Sequence, residues 1–211
     1  MFTLCGGHVF PLYDAAVKAD PPVRLVDVRH EQTAVFAAEA TARLTRAPGL
    51  AVVTAGPGVT NSVSAVTTAW FNGAPLVLLG GRAPDYLWGR GALQEMDHVP
   101  LLAPVTKSAW TEHDTPAVAA SVDEAFRLAL TPRRGPVFCD FPVETIYDQA
   151  EVQLPDGPMP APAGPDADDV ARIAGLLAAA SRPVLVLGSD VWLGGAEEAA
   201  RAAAETLRLP V

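Results

Sequence analysis

Short apolar runs that alternate with helix-forming stretches constrain the fold of this chain more than any other feature. Residues 50–54 (LAVVT) and 75–79 (PLVLL) are unbroken apolar runs of the kind that is buried on both faces of a parallel sheet. Between them, Gly56-Pro57-Gly58 turns the chain into a predicted helix at about residues 60–71. Strand, helix and strand at this spacing form parallel βαβ units. The sequence therefore predicts an α/β fold, a parallel sheet flanked by helices.

The same alternation predicts further elements on both sides of this unit. The other predicted strands are residues 2–4, 23–28, 105–110 and 136–141, and the other predicted helices are residues 9–17, 32–44 and 115–129. Residues 155–165 (PDGPMPAPAGP) are too rich in Pro and Gly to continue a helix or a central strand, so we interpret them as an interdomain linker. We therefore predict one domain over residues 1–154.

The residues after the linker form a shorter α/β pattern. The elements predicted there are a helix at 166–180, a strand at 182–188, a helix at 196–207 and the start of a strand at 209–211. One strand between two helices cannot bury both faces of a parallel sheet. We therefore expect residues 166–211 to be the beginning of a second α/β domain that is incomplete in this chain.

Charge and composition narrow the classes of partner. The formal net charge is −9, and no block of Lys and Arg is present to neutralise nucleic-acid phosphates. No apolar run is long enough to cross a bilayer, and the first ten residues lack the pattern of a secretory signal. The two cysteines, Cys5 and Cys139, lie far apart, so we expect free thiols in a reducing compartment. These observations predict a cytoplasmic protein without nucleic-acid or membrane partners.

Glu31 is the first candidate for chemistry. Residues 24–32 (RLVDVRHEQ) contain a short predicted strand that ends just before this carboxylate and the next helix. Open α/β sheets bind ligands outside the carboxyl ends of their strands. The alternative is a solvated glutamate at a helix start, where the helix dipole favours negative charge.

The turn at Gly56-Pro57-Gly58 also has two interpretations. Its position before a helix would suit a phosphate, which helix N-termini bind, or it is simply a tight turn. It is not the dinucleotide fingerprint, because Asn61 stands where that pattern has its last glycine. His8, which follows two glycines, and Gln94 are weaker candidates, because each is an isolated signal.

Five segments taken in order resemble the pyrimidine-binding N-terminal domain of thiamine-diphosphate-dependent enzymes, in particular the acetolactate synthase, benzaldehyde lyase and 2-hydroxyacyl-CoA lyase group. The segments are CGGHVFPLYDA, VRHEQTAVFAAEATAR, VVTAGPGVTNSVSAV, GALQEMDHVPLLAPVTK and RGPVFCDFPV. They cover residues 1 to about 148, and the residues after the linker resemble the opening of the family's central domain.

The resemblance implies a role for each candidate residue. Glu31 matches the glutamate that exchanges a proton with N1′ of the cofactor's aminopyrimidine and so controls its tautomer; an amide at this position could not exchange that proton. Thr54, Pro57 and Asn61 match cofactor neighbours. His8 matches a histidine near the reacting carbonyl, and the position of Gln94 is that of a glutamine that reaches the substrate or intermediate. The implied reaction makes or breaks a carbon–carbon bond in a 2-keto acid or 2-hydroxyacyl compound.

The resemblance also implies partners, because the Gly-Asp-Gly signature of the family's metal-dependent diphosphate site does not occur in this sequence. Mg²⁺ and the diphosphate would then be held by a domain absent from this chain, supplied by a longer chain or by another subunit of a homodimer or tetramer. No metal ligand is assigned here, and FAD in the central domain stays open. We expect the isolated chain to be inactive. Two rivals remain: a non-catalytic or degenerate thiamine-domain protein, and a nucleotide-binding α/β module that uses the glycine turn.

Overall fold

A computed structural model describes residues 1–161 and 164–211. The chain divides into two compact units, Met1–Pro160 and Ala161–Val211. In the described residues of the first unit, six strands pair in parallel to form one sheet. The strands are β1 (Phe2–Thr3), β2 (Val26–Asp27), β3 (Gly49–Val53), β4 (Leu76–Arg82), β5 (Ala109–Thr111) and β6 (Val137–Pro142), in the spatial order β2-β1-β3-β4-β6-β5. The predicted fold class, a parallel sheet flanked by helices, is confirmed.

Helices cover both faces of this sheet, as the unbroken apolar strands require. They are α1 (Phe10–Lys18), α2 (Glu31–Thr45), α3 (Pro57–Thr60), α4 (Val63–Asn72), α5 (Val99–Leu102), α6 (Val118–Leu130) and α7 (Val143–Tyr147). Successive side chains of β4 point to opposite faces of the sheet. Leu76 and Leu78 lie in one buried cluster with residues of α2 and α4, whereas Val77 and Leu79 lie in a second cluster with residues of α6.

Several predicted elements differ in their extent. The predicted helix at 60–71 is two helices, α3 and α4. The predicted strand at 23–28 is paired only at Val26–Asp27, because its neighbour β1 is extended for just two residues opposite it. The predicted strand at 105–110 forms only at Ala109–Thr111, since the chain before it makes a 3-10 turn at Ala103–Val105.

The second unit contains helices α8 (Ala167–Ala179), α9 (Ser189–Leu193) and α10 (Glu197–Leu207). The prediction of strands at 182–188 and 209–211 is wrong for the described residues. A strand needs a ladder of hydrogen bonds to a neighbour, whereas these two described segments are joined by the backbone hydrogen bond from Leu185 N to Pro210 O at 3.0 Å. Val186 is 87% exposed as a result. Among the described residues, no helix of either unit combines the length and apolarity that crossing a membrane would need.

Candidate active site

A cleft of about 540 Å³ lies at the carboxyl ends of the strands of the first unit. Its volume is within the range of about 300–1,000 Å³ typical of small-molecule sites. The cleft is lined by Cys5, Gly6, Gly7, His8, Glu31, Thr54, Pro57, Leu93, Gln94 and Val143. Separate segments that follow β1, β2, β3, β4 and β6 contribute these residues, because parallel strands end at one edge of a sheet. The cleft therefore brings together five of the six predicted site residues, and the sixth, Asn61, contacts Glu31.

Glu31 is the first residue of α2 and is only 8% exposed. The alternative of a solvated glutamate at a helix start is therefore wrong. The Asn61 side-chain amide donates a hydrogen bond of 3.0 Å to Oε2 of Glu31. Among the described residues, no donor forms a hydrogen bond with Oε1. One carboxyl oxygen is thus oriented by the protein, and the other is available to a ligand in the cleft.

His8, Thr54 and Gln94 form a short polar chain along the same cleft. The Nδ1 atom of His8 lies 3.1 Å from Oγ1 of Thr54, and the Thr54 hydroxyl makes a long hydrogen bond of 3.5 Å to Oε1 of Gln94. Burial lowers the pKa of His8 below its ordinary value of 6.5, and a hydrogen bond with the Leu93 backbone opposes this shift. A neutral imidazole near pH 7 can donate or accept a proton.

Glycines let the backbone approach these side chains closely. A Cβ atom on Gly6 would lie 2.6 Å from Oγ1 of Thr54 and closer still to its Cβ. Gly56 has a φ of +56°, and a Cβ there would lie 2.9 Å from the Cβ of Gln94. Gln94 itself has a φ of +60°, in the left-handed region that non-glycine residues rarely occupy. The wall of the cleft is therefore held in a backbone arrangement that few other residues would permit.

The amide groups of the glycine turn already have partners within the protein. Gly56 N donates to Nε2 of His98 at 2.9 Å. Gly58 N donates to Ala55 O at 3.2 Å, and Val59 N donates to Gly56 O at 3.1 Å. A phosphate cradle needs such amides free to bind the anion. The geometry therefore favours the tight-turn interpretation over phosphate binding.

Sequence reasoning missed a buried polar group beside the glycine turn. Nδ1 of His98 lies 2.7 Å from Oδ2 of Asp140, and both side chains are fully buried. Arg82 lies 3.7 Å from the same Asp140 oxygen and 3.4 Å from Oδ1 of Asp97, and its guanidinium lies 3.8 Å from the centre of the Trp88 ring. A signal was present, because Asp140 interrupts an apolar strand and buried charges are normally paired.

In the part of the chain that the structure describes, the two cysteines do not form a second reactive centre. Cys139 is buried, and burial raises the pKa of its thiol, with Asp140 adding to the effect, so packing explains this residue. Cys5 is an exposed free thiol that lines the cleft. Within residues 1–161 and 164–211, no group of three or more His, Cys, Asp or Glu side chains could hold a metal ion.

Comparison with known proteins relates the chain to thiamine-dependent enzymes. The family described as "Thiamine pyrophosphate enzyme, N-terminal TPP binding domain" matches residues 1–101. The acetolactate synthase large subunit of Mycobacterium tuberculosis is 44% identical over 219 residues, which cover 100% of this chain and 39% of that protein. The 2-hydroxyacyl-CoA lyase 2 of Danio rerio is 43% identical over 164 residues, which cover 78% of this chain and 26% of that protein. The chain thus spans well under half the length of these relatives.

A solved structure supports the same relationship. The thiamine diphosphate-dependent 4-hydroxybenzoylformate decarboxylase of Rhodococcus jostii matches with a TM-score of 0.86 at 26% sequence identity. The match covers 100% of this chain and 40% of that chain. The sequence and structural comparisons agree with each other: the chain belongs to the thiamine pyrophosphate enzyme family, which it matches through the N-terminal TPP-binding domain at residues 1–101.

Proposed function

We propose that this chain is the aminopyrimidine-binding part of a thiamine-diphosphate-dependent enzyme that makes or breaks a carbon–carbon bond next to a carbonyl. The observation that carries the proposal is the buried carboxyl group of Glu31, with one oxygen bonded to Asn61 and the other available in the cleft. Relatives named acetolactate synthase and 2-hydroxyacyl-CoA lyase support a 2-keto acid or a 2-hydroxyacyl compound as substrate. Residues 1–154 would be the pyrimidine domain, and residues 166–211 would begin the central domain.

The residues of the cleft support the binding of an aminopyrimidine ring. Thiamine diphosphate, if bound in this cleft, would supply a nucleophilic carbon for chemistry next to a carbonyl group. In our proposal, Glu31 gives a proton to N1′ of the pyrimidine and takes it back. Asn61 keeps the carboxyl group oriented for this transfer, while Thr54 and Pro57 form the wall against which the ring packs.

His8 and Gln94 would act on the substrate side of the cleft. His8 is neutral near pH 7, because burial lowers its pKa, so it can exchange a proton with a hydroxyl group of the reacting compound. Oε1 of Gln94 accepts from Thr54, which leaves its NH₂ group to donate to a substrate oxygen. Each role depends on where the side chain lies in the cleft, so single substitutions of His8 and of Gln94 can test them separately.

The proposed enzyme needs a site for Mg²⁺ and the diphosphate in addition to this cleft. Mg²⁺ and the diphosphate would be held by a domain outside this sequence, in the same longer chain or in another subunit of a homodimer or tetramer. We expect the isolated chain to show no turnover until that domain is supplied. The two free thiols support a reducing compartment, the cytoplasm.

The test replaces Glu31 by Gln in the enzyme that contains this chain. Exchange of the C2 proton of bound thiamine diphosphate, measured by NMR after acid quench, should slow by about 10²–10⁴-fold, because general acid–base catalysis is worth that much. The matched control is Glu39→Gln. Glu39 is also buried and also in α2, but it bonds to Arg43 and Asn72 instead of facing the cleft.

Three results would decide between the interpretations. Slow exchange in Glu31→Gln with normal exchange in Glu39→Gln supports the proposal. If the C2 proton exchanges as fast in Glu31→Gln as in Glu39→Gln, Glu31 has no part in the mechanism. Binding of thiamine diphosphate without any exchange in the unaltered protein would favour the degenerate thiamine-domain alternative, in which a recognisable cleft has lost its activity.

A further inference from the structure

We infer that His98 and Asp140 are a pair of positioning residues that hold the Gly56 turn and Gln94 against the cleft. Neither side chain lines the cleft itself. Their catalytic consequence rests on the proposed function, whereas their effect on the turn can be measured in the chain alone.

The contacts of His98 fix its proton. Gly56 N–H can only donate, and it lies 2.9 Å from Nε2 of His98, so Nε2 is the acceptor and carries no hydrogen. The neutral ring then carries its proton on Nδ1, which donates to Oδ2 of Asp140 at 2.7 Å. Both side chains have 0% exposure, so water cannot replace either bond. Asp140 therefore selects the tautomer that can accept from Gly56.

The Gly56 turn connects the hydrogen bond with His98 to the wall of the cleft. Gly56 has a φ of +56°, and its Cα faces Gln94 so closely that a Cβ would lie 2.9 Å from Gln94 Cβ and 3.1 Å from Gln94 O. Gln94 has a φ of +60°, a conformation that persists only where the surroundings hold it in place. Pro57, the next residue after Gly56, lines the cleft. Moving the Gly56 amide would therefore displace two parts of the wall.

Charged neighbours hold Asp140, which accepts the hydrogen bond from His98. Arg82, the last residue of β4, lies 3.7 Å from Oδ2 of Asp140 and keeps a positive charge beside that carboxylate. The same guanidinium reaches Asp97 and lies over Trp88, so it also ties down the segment that carries Gln94. Arg82 of β4 therefore contacts both Asp140 of β6 and Asp97 of the segment between β4 and α5. A buried pair that only filled space in the core would not need a hydrogen bond to the Gly56 amide.

The first test observes the pair directly in the 211-residue chain. The ¹⁵N and ¹H resonances of the His98 ring should show a proton on Nδ1 and none on Nε2, and the Gly56 amide should exchange slowly with solvent. Asp140→Asn keeps the size of the side chain, yet its NH₂ group can donate to Nδ1 and move the ring proton to Nε2. That proton would oppose Gly56 N–H, so exchange of this amide should accelerate at least about tenfold. A proton on Nε2 in the unaltered chain would overturn the inference.

The second test measures kcat and KM in the enzyme that contains this chain. His98→Phe keeps a ring but removes the acceptor, and kcat should fall about 10–100-fold, because displacement of a positioned group by about 1 Å can cost that much. His98→Gln should recover most of the loss, since its Oε1 can accept from Gly56. The control Thr106→Val removes another buried hydrogen bond, from Thr106 to Leu102 O, without touching the turn, and should leave kcat unchanged.

The outcomes separate this inference from the proposed function. Unchanged kcat in His98→Phe, in an enzyme where Glu31→Gln abolishes proton exchange, refutes the positioning role alone. Equal losses in His98→Phe, His98→Gln and Thr106→Val would also refute it, because they would indicate general destabilisation. If Glu31→Gln is harmless, the proposed function fails, and the ring-proton and amide-exchange measurements still decide how the turn is held.

Discussion

Replacing Gly6 by Ala should destabilise the first unit, whereas replacing its neighbour Gly7 by Ala should not. A Cβ on Gly6 would lie 2.6 Å from Oγ1 and 2.9 Å from Cγ2 of Thr54, distances that real Cβ contacts do not reach. Gly6 has a φ of −158°, an extended conformation that alanine adopts without strain. The difference between the two substitutions is therefore steric. For Gly7, no heavy atom of the described residues lies within 4 Å of the added carbon.

The size of the effect follows from how firmly Thr54 is held. Thr54 is buried directly after β3, and its hydroxyl contacts both His8 and Gln94, so it cannot rotate away without losing these bonds. Adding a carbon to such a site costs about 1–3 kcal/mol. A change of 1 kcal/mol shifts Tm by about 2–4 °C in a domain of this size, which gives a decrease of about 2–12 °C. Gly7→Ala should raise stability by about 0.4–1 kcal/mol, because alanine restricts the unfolded chain.

Thermal unfolding followed by circular dichroism would check both values on the same 211-residue chain at one pH. The two variants differ by one position in the sequence and by nothing in composition, so each serves as the control for the other. Tm values for Gly6→Ala and Gly7→Ala that agree within about 2 °C would refute the reasoning. They would mean that the cleft wall at Thr54 yields freely, and that its side chains are not held in fixed positions.

Two further predictions concern titratable groups. Because burial lowers the pKa of His8 from 6.5, the unfolded chain binds this proton more tightly, so stability is lost as the pH falls below 6.5. The free energy of unfolding in urea, measured at about pH 7.5 and 5, should therefore decrease less in His8→Gln than in the unaltered chain. An equal decrease in both proteins would contradict the prediction. Because burial raises the pKa of Cys139, a thiol reagent should modify only Cys5 until the chain unfolds; rapid reaction of two thiols in the native protein would contradict this.

The sequence was informative wherever a local pattern determined the structure. Glu31, Thr54 and Pro57 each follow a strand of the parallel sheet, and the carboxyl ends of parallel strands meet at one edge, so their common cleft was predictable. The apolar runs likewise predicted β3, β4 and β6 closely. Their roles in binding a cofactor stay predictions, because geometry alone does not identify a ligand.

Sequence reasoning failed where a structure depends on a distant partner. Residues 182–188 have the composition of a strand, but pattern alone cannot show whether a neighbour is available to pair with them. His98 and Asp140 are 42 residues apart and lie in two different segments of the family resemblance, so only the folded structure shows that they meet. The same holds for the bond between Asn61 and Glu31, which are 30 residues apart.

The cleft joins the least and the most firmly paired parts of the sheet. β1 and β2 pair through two residues each, whereas β4 and β6 pair through six. Local unfolding should begin where pairing is shortest, so His8 and Glu31 would separate transiently from the Gly56 turn while the rest of the sheet stays closed. A ring lodged between Glu31 and that turn would couple the two halves, and its binding would suppress this opening across the whole β1–β2 edge.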